Sequence, residues 1–429
     1  MPLPRQPLRI RWWIFSFMFG FATLAYIQRT SLGVAATEMM PALHLSQMQI
    51  FGLAWAFTIP YALAQIPGSV FGQRYGARLT YVVIGIVGLV ATLGTPLAPF
   101  VLTGAALFVA LLVAQALLGA SQGPVFPVFA AVVEVWFPEN RWAVANGLQT
   151  AGMNIGGAVT APLITLLTAS FGWQGALVCL APLAAALTIG WAWYGRNSPR
   201  EHPSVTAAEL AELPAPDGEV AAPMTMRRLL RIGANRDVLL LAVSYLCMNY
   251  AFYLLSFWSY LYLVQVRHFH GVESGFVGAV PWIGAGIGAA IGGYVSDWLA
   301  ERLGARWGYR LVPLVTLPIA AALLALTINV TTPYAAVAAL TAAFGAVEIN
   351  EGAYWAATMR VARADTGAAT GILNTGGNAG GIITHPIVGA LSDAGSWSGA
   401  FVTGSVFALI AAALWLLIDS DRKPCAAAH

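Results

Sequence analysis

Two sets of charged side chains lie inside otherwise apolar sequence, and both offer chemistry. Arg29 sits in the run from Trp12 to Ala36, where no other side chain is charged. A guanidinium at the centre of an apolar helix costs about 2.5–3.5 kcal/mol on insertion scales, so it faces protein or water and pairs with something. Its forked donors suit a carboxylate or another oxyanion. Of the 18 acidic residues, Glu348 and Glu351 alone fall deep inside an apolar run. Glu38 and Glu134 fall near the ends of theirs. Three residues apart, Glu348 and Glu351 share a face if the segment is helical, and Tyr354 and Trp355 continue it. Two chemistries are open to them: neutralising Arg29, as a buried charge requires, or carrying a proton.

Neutral polar groups accompany these charges. Tyr26 lies three residues before Arg29, on its face. Gln28 and Gln122 are further polar groups in apolar surroundings. Asn249, Tyr250 and Tyr253 cluster in one apolar run, and Asn374 and Asn378 lie four apart in another. Amides and phenols can hydrogen-bond a carboxylate or a hydroxyl without adding a second charge. For Asn378 and Asn154 an interhelical hydrogen bond is the simpler use.

The elements that must hold these residues follow from composition. The chain has 429 residues, 59% of them hydrophobic and 9% charged, against about 25% charged in a soluble domain. Runs of roughly 20 apolar residues occur near 12–36, 48–72, 79–98, 101–131, 142–169, 174–194, 237–264, 273–297, 310–330, 333–359, 366–391 and 398–418. An all-α polytopic membrane protein with twelve transmembrane helices is expected. Twelve crossings put both termini on one side. Of the 21 Lys and Arg residues, 19 then fall on that side, including Arg5, Arg9, Arg422 and Lys423; Arg267 falls on the other and Arg29 within a span. The positive-inside rule assigns the basic side to the cytoplasm. The net charge of +3 thus reflects topology, and no nucleic-acid partner is expected. The three cysteines, Cys179, Cys247 and Cys425, form no disulfide framework. No metal-ligand spacing, nucleophile–base pairing or phosphate loop is present, so neither an enzyme nor a resident cofactor is expected.

The chain also repeats itself. At an offset of 224 residues Gly147, Gly152, Asn154, Gly156, Gly157, Thr160 and Pro162 match Gly371, Gly376, Asn378, Gly380, Gly381, Thr384 and Pro386. The same offset places Tyr26 on Tyr250, Gly68 on Gly292 and Gln73 on Asp297. Between the copies, residues 195–236 are rich in proline (Pro199, Pro203, Pro214, Pro216, Pro223) and in acids. The expected organisation is a six-helix bundle over 1–194, a cytoplasmic linker over 195–236 with short helices near Thr206–Leu213 and Met224–Ile232, and a second six-helix bundle and tail over 237–429. The recurring glycines let helices approach closely in lipid. Two pseudo-symmetric halves about an axis along the membrane normal are a transporter layout.

The loops carry a resemblance. Gly68, Gln73, Arg74 and Arg78 in the first copy, and Gly293 and Asp297 followed by Arg302, Arg306 and Arg310 in the second, resemble the major facilitator loop signature. In that family the loop is a latch between helices. Gln73 stands where the acid is expected, so a charged latch is expected at Asp297 only. The strings Tyr26-Ile27-Gln28-Arg29-Thr30-Ser31-Leu32, Gln65-Ile66-Pro67-Gly68, Gly119-Ala120-Ser121-Gln122-Gly123-Pro124-Val125-Phe126-Pro127 and Trp136-Phe137-Pro138 are similar to the anion:cation symporter branch. That branch includes sugar-acid and organic-anion permeases and vesicular glutamate and sialic acid carriers. The resemblance implies a proton- or cation-coupled carrier of a small organic anion, with Tyr26 and Arg29 at the substrate. The branch has an aspartate where this chain has Gln28, and often a glutamate where it has Gln122. Its usual proton sites are absent here, which leaves Glu348 and Glu351.

The expectation is therefore a multi-pass carrier of a carboxylate or sugar acid in the inner membrane, acting as a monomer by alternating access. Arg29, Tyr26, Gln28, Gln122, Asn249, Tyr250, Tyr253, Asn374 and Asn378 are the candidate substrate groups. Glu348 and Glu351 are the candidate coupling groups, and Gln73, Arg74, Arg78 and Asp297 the candidate gating groups. An uncoupled facilitator or anion exchanger is the alternative, favoured by the two glutamines. A non-transporting membrane sensor is the alternative of another class, although the linker is short for a signalling domain.

Overall fold

The computed structural model describes residues 10–213, 224–269 and 271–421. Arg5, Arg9, Arg422, Lys423 and Cys425, with the linker residues Pro214, Pro216 and Pro223, lie outside the described residues. The helices, in order, are α1 (Ile10–Leu43), α2 (Gln47–Tyr75), α3 (Ala77–Leu97), α4 (Gly104–Gln122), α5 (Val125–Trp136), α6 (Trp142–Val178), α7 (Leu180–Tyr194), α8 (Ala207–Ala211), α9 (Met226–Gly233), α10 (Arg236–Tyr253), α11 (Ser259–Gln265), α12 (Gly271–Leu303), α13 (Ala305–Asn329), α14 (Pro333–Glu348), α15 (Glu351–Ala362), α16 (Thr366–Asp393) and α17 (Trp397–Trp415). No strand occurs among the described residues.

Several crossings are broken helices. Gly123 and Pro124 separate α4 from α5, and Pro124 has no N–H to continue the ladder. A π-helical turn over Leu254–Trp258 joins α10 to α11. Ile349 and Asn350 separate α14 from α15, where the Asn350 amide donates to the carbonyls of Ala346 and Val347 and accepts from Thr316. That side chain satisfies backbone groups that the break would otherwise leave bare in a dry interior. Within α6 the backbone turns at Gly172 (φ 68°), a conformation open to glycine at no steric cost. Counting each broken helix as one crossing and α6 as two arms, the second continuing into α7, the described residues make twelve crossings.

By length and apolar composition, eight stretches qualify as membrane spans, and Glu139–Tyr194 holds two crossings in one stretch. The other three crossings, α2, α14–α15 and α16, carry polar side chains such as Gln65, Glu348 and Asn378. The outward-facing side chains are apolar, among them Leu63, Leu166 and Ile189, as lipid requires. The start of α1, the described residues near Glu209 and the described residues after α17 lie on one side. There Glu209 caps the first turn of α1 and pairs with Arg11 at 3.1 Å, and Asp237 accepts from the backbone of Asp419.

The repeat offset reappears in the packing. Helix α1 packs on α6 as α10 packs on α16, and α12 packs on α6 as α2 packs on α16. Gly156 and Gly380 make the first pair of contacts possible. A Cβ on Gly156 would lie 2.4 Å from the Thr23 carbonyl oxygen, and one on Gly380 2.3 Å from that of Leu246. Neither backbone can yield as a side chain would. Gly156→Val and Gly380→Val should each cost about 1–3 kcal/mol, read as a lower thermal midpoint of the purified protein. Gly33→Ala, with nothing within 4 Å of the added carbon, should hold the midpoint or raise it slightly, because alanine is the better helix former.

Candidate functional site

Arg29 is enclosed by aromatic rings. Its guanidinium carbon lies 5.4 Å from the ring centres of Tyr26 and Phe57, 5.2 Å from Tyr61 and 6.0 Å from Tyr253. These are cation–π distances. One guanidinium nitrogen donates to the Tyr253 hydroxyl at 3.3 Å. Tyr253 is the residue 224 positions after Arg29, so the cation and its partner occupy equivalent places in the two copies. The Tyr253 hydroxyl donates onward to Asn378 Oδ1 at 2.9 Å, Asn378 Nδ2 donates to the Asn374 carbonyl, and Asn374 Nδ2 donates to Gln65 Oε1 at 2.7 Å. This chain of neutral groups runs from α1 through α10 and α16 to α2.

Of the two chemistries open to the glutamates, neutralisation of Arg29 is not seen among the described residues. The ion pairs among the described residues lie elsewhere, and none includes Arg29. Each glutamate instead has a neutral partner on a different helix. Glu348 turns to α6, where Asn154 Nδ2 donates to its Oε2 at 2.6 Å; its Oε1 is buried without a partner. Glu351 turns to α10, where its Oε2 accepts from the Tyr245 hydroxyl at 3.0 Å and from Trp355 Nε1 at 2.8 Å.

A cavity between the two copies brings many of these groups together. Tyr26, Arg29, Asn249, Tyr253, Glu351, Asn374 and Asn378 line it. Glu348 is not in its wall. Nor are Gln28, Gln122 and Tyr250, which the sequence places among the substrate groups. Gln122 Nε2 donates to Gln28 Oε1, and Gln28 Nε2 donates to Thr92 at 2.8 Å. The two amides satisfy each other between α1, α3 and α4. The Tyr250 ring stacks on Phe407 at 4.0 Å and its hydroxyl meets Thr403. Helix α10 therefore points Asn249 and Tyr253 inward and Tyr250 towards α17.

Tyr61, Phe126, Thr150, Met153, Tyr245, Phe252 and Trp355 also line the cavity, and the sequence reading does not select them as substrate groups. For Tyr61 a signal exists: it stands four residues before Gln65 in an apolar helix, on the same face. Phe126 and Met153 carry no such mark.

The loop residues separate as well. Asp297 is buried and caps the start of α6, accepting from the backbone N–H groups of Ala143 at 3.2 Å and Val144 at 2.8 Å, and from the Tyr309 hydroxyl. A carboxylate suits the positive end of a helix. Its repeat mate Gln73 packs against Gly367 at the start of α16. Arg74 stacks on Tyr75, and Arg78 donates to the Ala192 carbonyl within its own copy. Neither arginine is bonded to Asp297, whose partners are two backbone amides and a phenol. Around it, Arg360 pairs with Glu139 at 2.8 Å and Asn140 donates to Glu301. Among the described residues, the hydrogen bonds between the two copies run from the Arg29 level to this terminal side.

The fold and the cavity define a membrane transporter, and the Major Facilitator Superfamily model matches residues 18–362 and 286–428. The chain belongs to that family, whose members are transporters and not enzymes. It is 27% identical to a probable sulfoacetate transporter of Cupriavidus necator, over 90% of this chain and 88% of that one. It is 26% identical to the hexuronate transporter of Bacillus subtilis, over 92% and 91%. It is 27% identical to a probable galactarate/D-glucarate transporter of Escherichia coli, over 96% and 94%. Among solved structures, the Major Facilitator Superfamily transporter FucP in the outward conformation matches with a TM-score of 0.69 at 15% identity, over 94% of this chain and 98% of that one.

The capping geometry of Asp297 makes a prediction. Asp297→Ala should loosen the terminal side by about 1 kcal/mol, the usual worth of a helix cap. In an Ala143→Cys background, thiol labelling should rise with Asp297→Ala and stay near baseline with Asp297→Asn, which keeps an acceptor.

Proposed function

We propose that this protein carries a small organic anion, a carboxylate or sugar acid, across the inner membrane by alternating access. The single observation that carries this reading is Arg29: a guanidinium at mid-membrane, on a cavity between two repeated halves, with aromatic rings around it and no carboxylate partner among the described residues. An anion arriving there completes a charge-assisted pair in a low-dielectric site. Tyr26, Tyr253, Asn249, Asn374 and Asn378 are the neutral groups that orient it. The relatives' names, sulfoacetate, hexuronate and galactarate/D-glucarate, support an anionic substrate.

In this reading residues 1–194 and 237–429 are the moving halves, the segment 195–236 joins them, and the basic side carrying both termini faces the cytoplasm. The halves rock about the Arg29–Tyr253 contact. The Asp297 cap, the Arg360–Glu139 pair and the Asn140–Glu301 bond separate when the terminal side opens. Glu348 and Glu351 are the coupling groups. Rocking breaks the Asn154–Glu348 bond, while Glu351 faces the cavity.

Purified protein tests the anion. Hydroxylated carboxylates should raise its thermal midpoint. Arg29→Ala should abolish the rise and Arg29→Lys should keep part of it, because lysine retains the charge without the fork. A midpoint that responds only to neutral or cationic compounds would overturn the reading. Coupling is tested in vesicles: Glu348→Gln or Glu351→Gln should abolish accumulation driven by a pH gradient while leaving exchange. Full accumulation in both single variants would remove the coupling role from Glu348 and Glu351, whereas no pH-driven accumulation by the unaltered protein would leave an uncoupled facilitator or exchanger, the alternative that Gln28 and Gln122 favour.

A further inference from the structure

The charged groups in the cavity wall are few. Among its described lining residues, Arg29 is the one cation and Glu351 the one acid. They come from different halves, α1 and α15. Glu351 is held in place, since both the Tyr245 hydroxyl and the Trp355 indole donate to its Oε2. A carboxylate offers about four acceptor sites and no donor, so a ligand group that reaches it must donate. The same wall carries Asn249, Asn374 and Asn378, amides that can both donate and accept.

We propose that Glu351 sets the charge class of the cargo: the cavity takes a monocarboxylate bearing hydroxyl groups and disfavours a dicarboxylate of the same skeleton. This rests on the reading of the cavity as an anion site. One carboxylate of the ligand sits on Arg29. Its hydroxyls meet the amides, and a hydroxyl at the far end donates to Glu351. A second carboxylate in that place would have no cation to meet and, whenever Glu351 is ionised, would face a like charge in a medium where repulsion is weakly screened. Glu351 is thus a specificity-determining residue. It discriminates by repulsion as much as by attraction.

The test compares ligands of one skeleton on the full-length protein in detergent at neutral pH. Glucuronate carries one carboxylate and hydroxyls, glucarate carries two carboxylates, and hexanoate carries one carboxylate and no hydroxyl. Isothermal titration should show glucuronate binding about tenfold or more tighter than either of the others. Glu351→Gln should narrow the gap between glucuronate and glucarate to about threefold or less, and Glu351→Asp should restore most of it. A purely structural role for Glu351 would lower both affinities together and leave their ratio unchanged. Glucarate binding as tightly as glucuronate to the unaltered protein overturns the proposal and leaves the anion site standing, as does a ratio unmoved by Glu351→Gln. If none of the three binds, and Arg29→Lys alters nothing, the anion site itself fails and the charge rule with it.

Discussion

A guanidinium held at mid-membrane by aromatic rings and one phenol, with no carboxylate paired to it among the described residues, is the constraint on which the rest of this structure depends. Arg29 cannot lose its charge, and lipid cannot accept it at low cost. The rings of Tyr26, Phe57, Tyr61 and Tyr253 offset part of that cost, at about 0.5–2 kcal/mol for a cation–π contact. They do not satisfy the forked donors. An anion does. A site that is stable yet incomplete when empty is what a carrier needs, because a salt bridge to a fixed glutamate would have to be broken by every arriving cargo.

The two copies of the fold meet at this point. Arg29 and Tyr253 stand one repeat offset apart and hydrogen-bond to each other, so the contact lies where the internal symmetry places equivalent positions face to face. Around it, the bonds between copies at the level of the cavity are made by neutral groups with at most one charge: Gln65 to Asn374 and Asn154 to Glu348. The terminal side is different. There a buried carboxylate caps a helix and an ion pair crosses the seam. In the proposed cycle, neutral bonds at the centre are exchanged for bonds to cargo, and charged contacts at the rim hold one side shut until the halves move.

Much of the architecture was legible because lipid permits few solutions. Apolar runs, the one-sided distribution of arginine and a constant repeat offset all follow from solvation of backbone and charge, and each is written in residue types alone. Arg29 stood out for the same reason. The site was less legible where it depends on which neighbouring helix supplies a partner. Glu348 and Glu351 lie three apart, yet Glu348 is bonded from α6 and Glu351 from α10, and neither meets Arg29 in an ion pair among the described residues. Gln28, Gln122 and Tyr250 illustrate a second limit. Polar residues in an apolar helix need partners, but sequence does not say whether the partner is cargo or a neighbouring side chain; here Gln28 and Gln122 found each other. Phe126 and Met153 reach the cavity through packing directions that no local pattern records.

The most direct measurement is a structure of the protein determined with a hydroxylated carboxylate bound. The account predicts the carboxylate on the Arg29 guanidinium, beside the Tyr253 hydroxyl, with the body of the ligand extending toward Glu351. A ligand bound elsewhere, or an Arg29 that turns to pair with Glu351 while the ligand's carboxylate lies away from it, would contradict it.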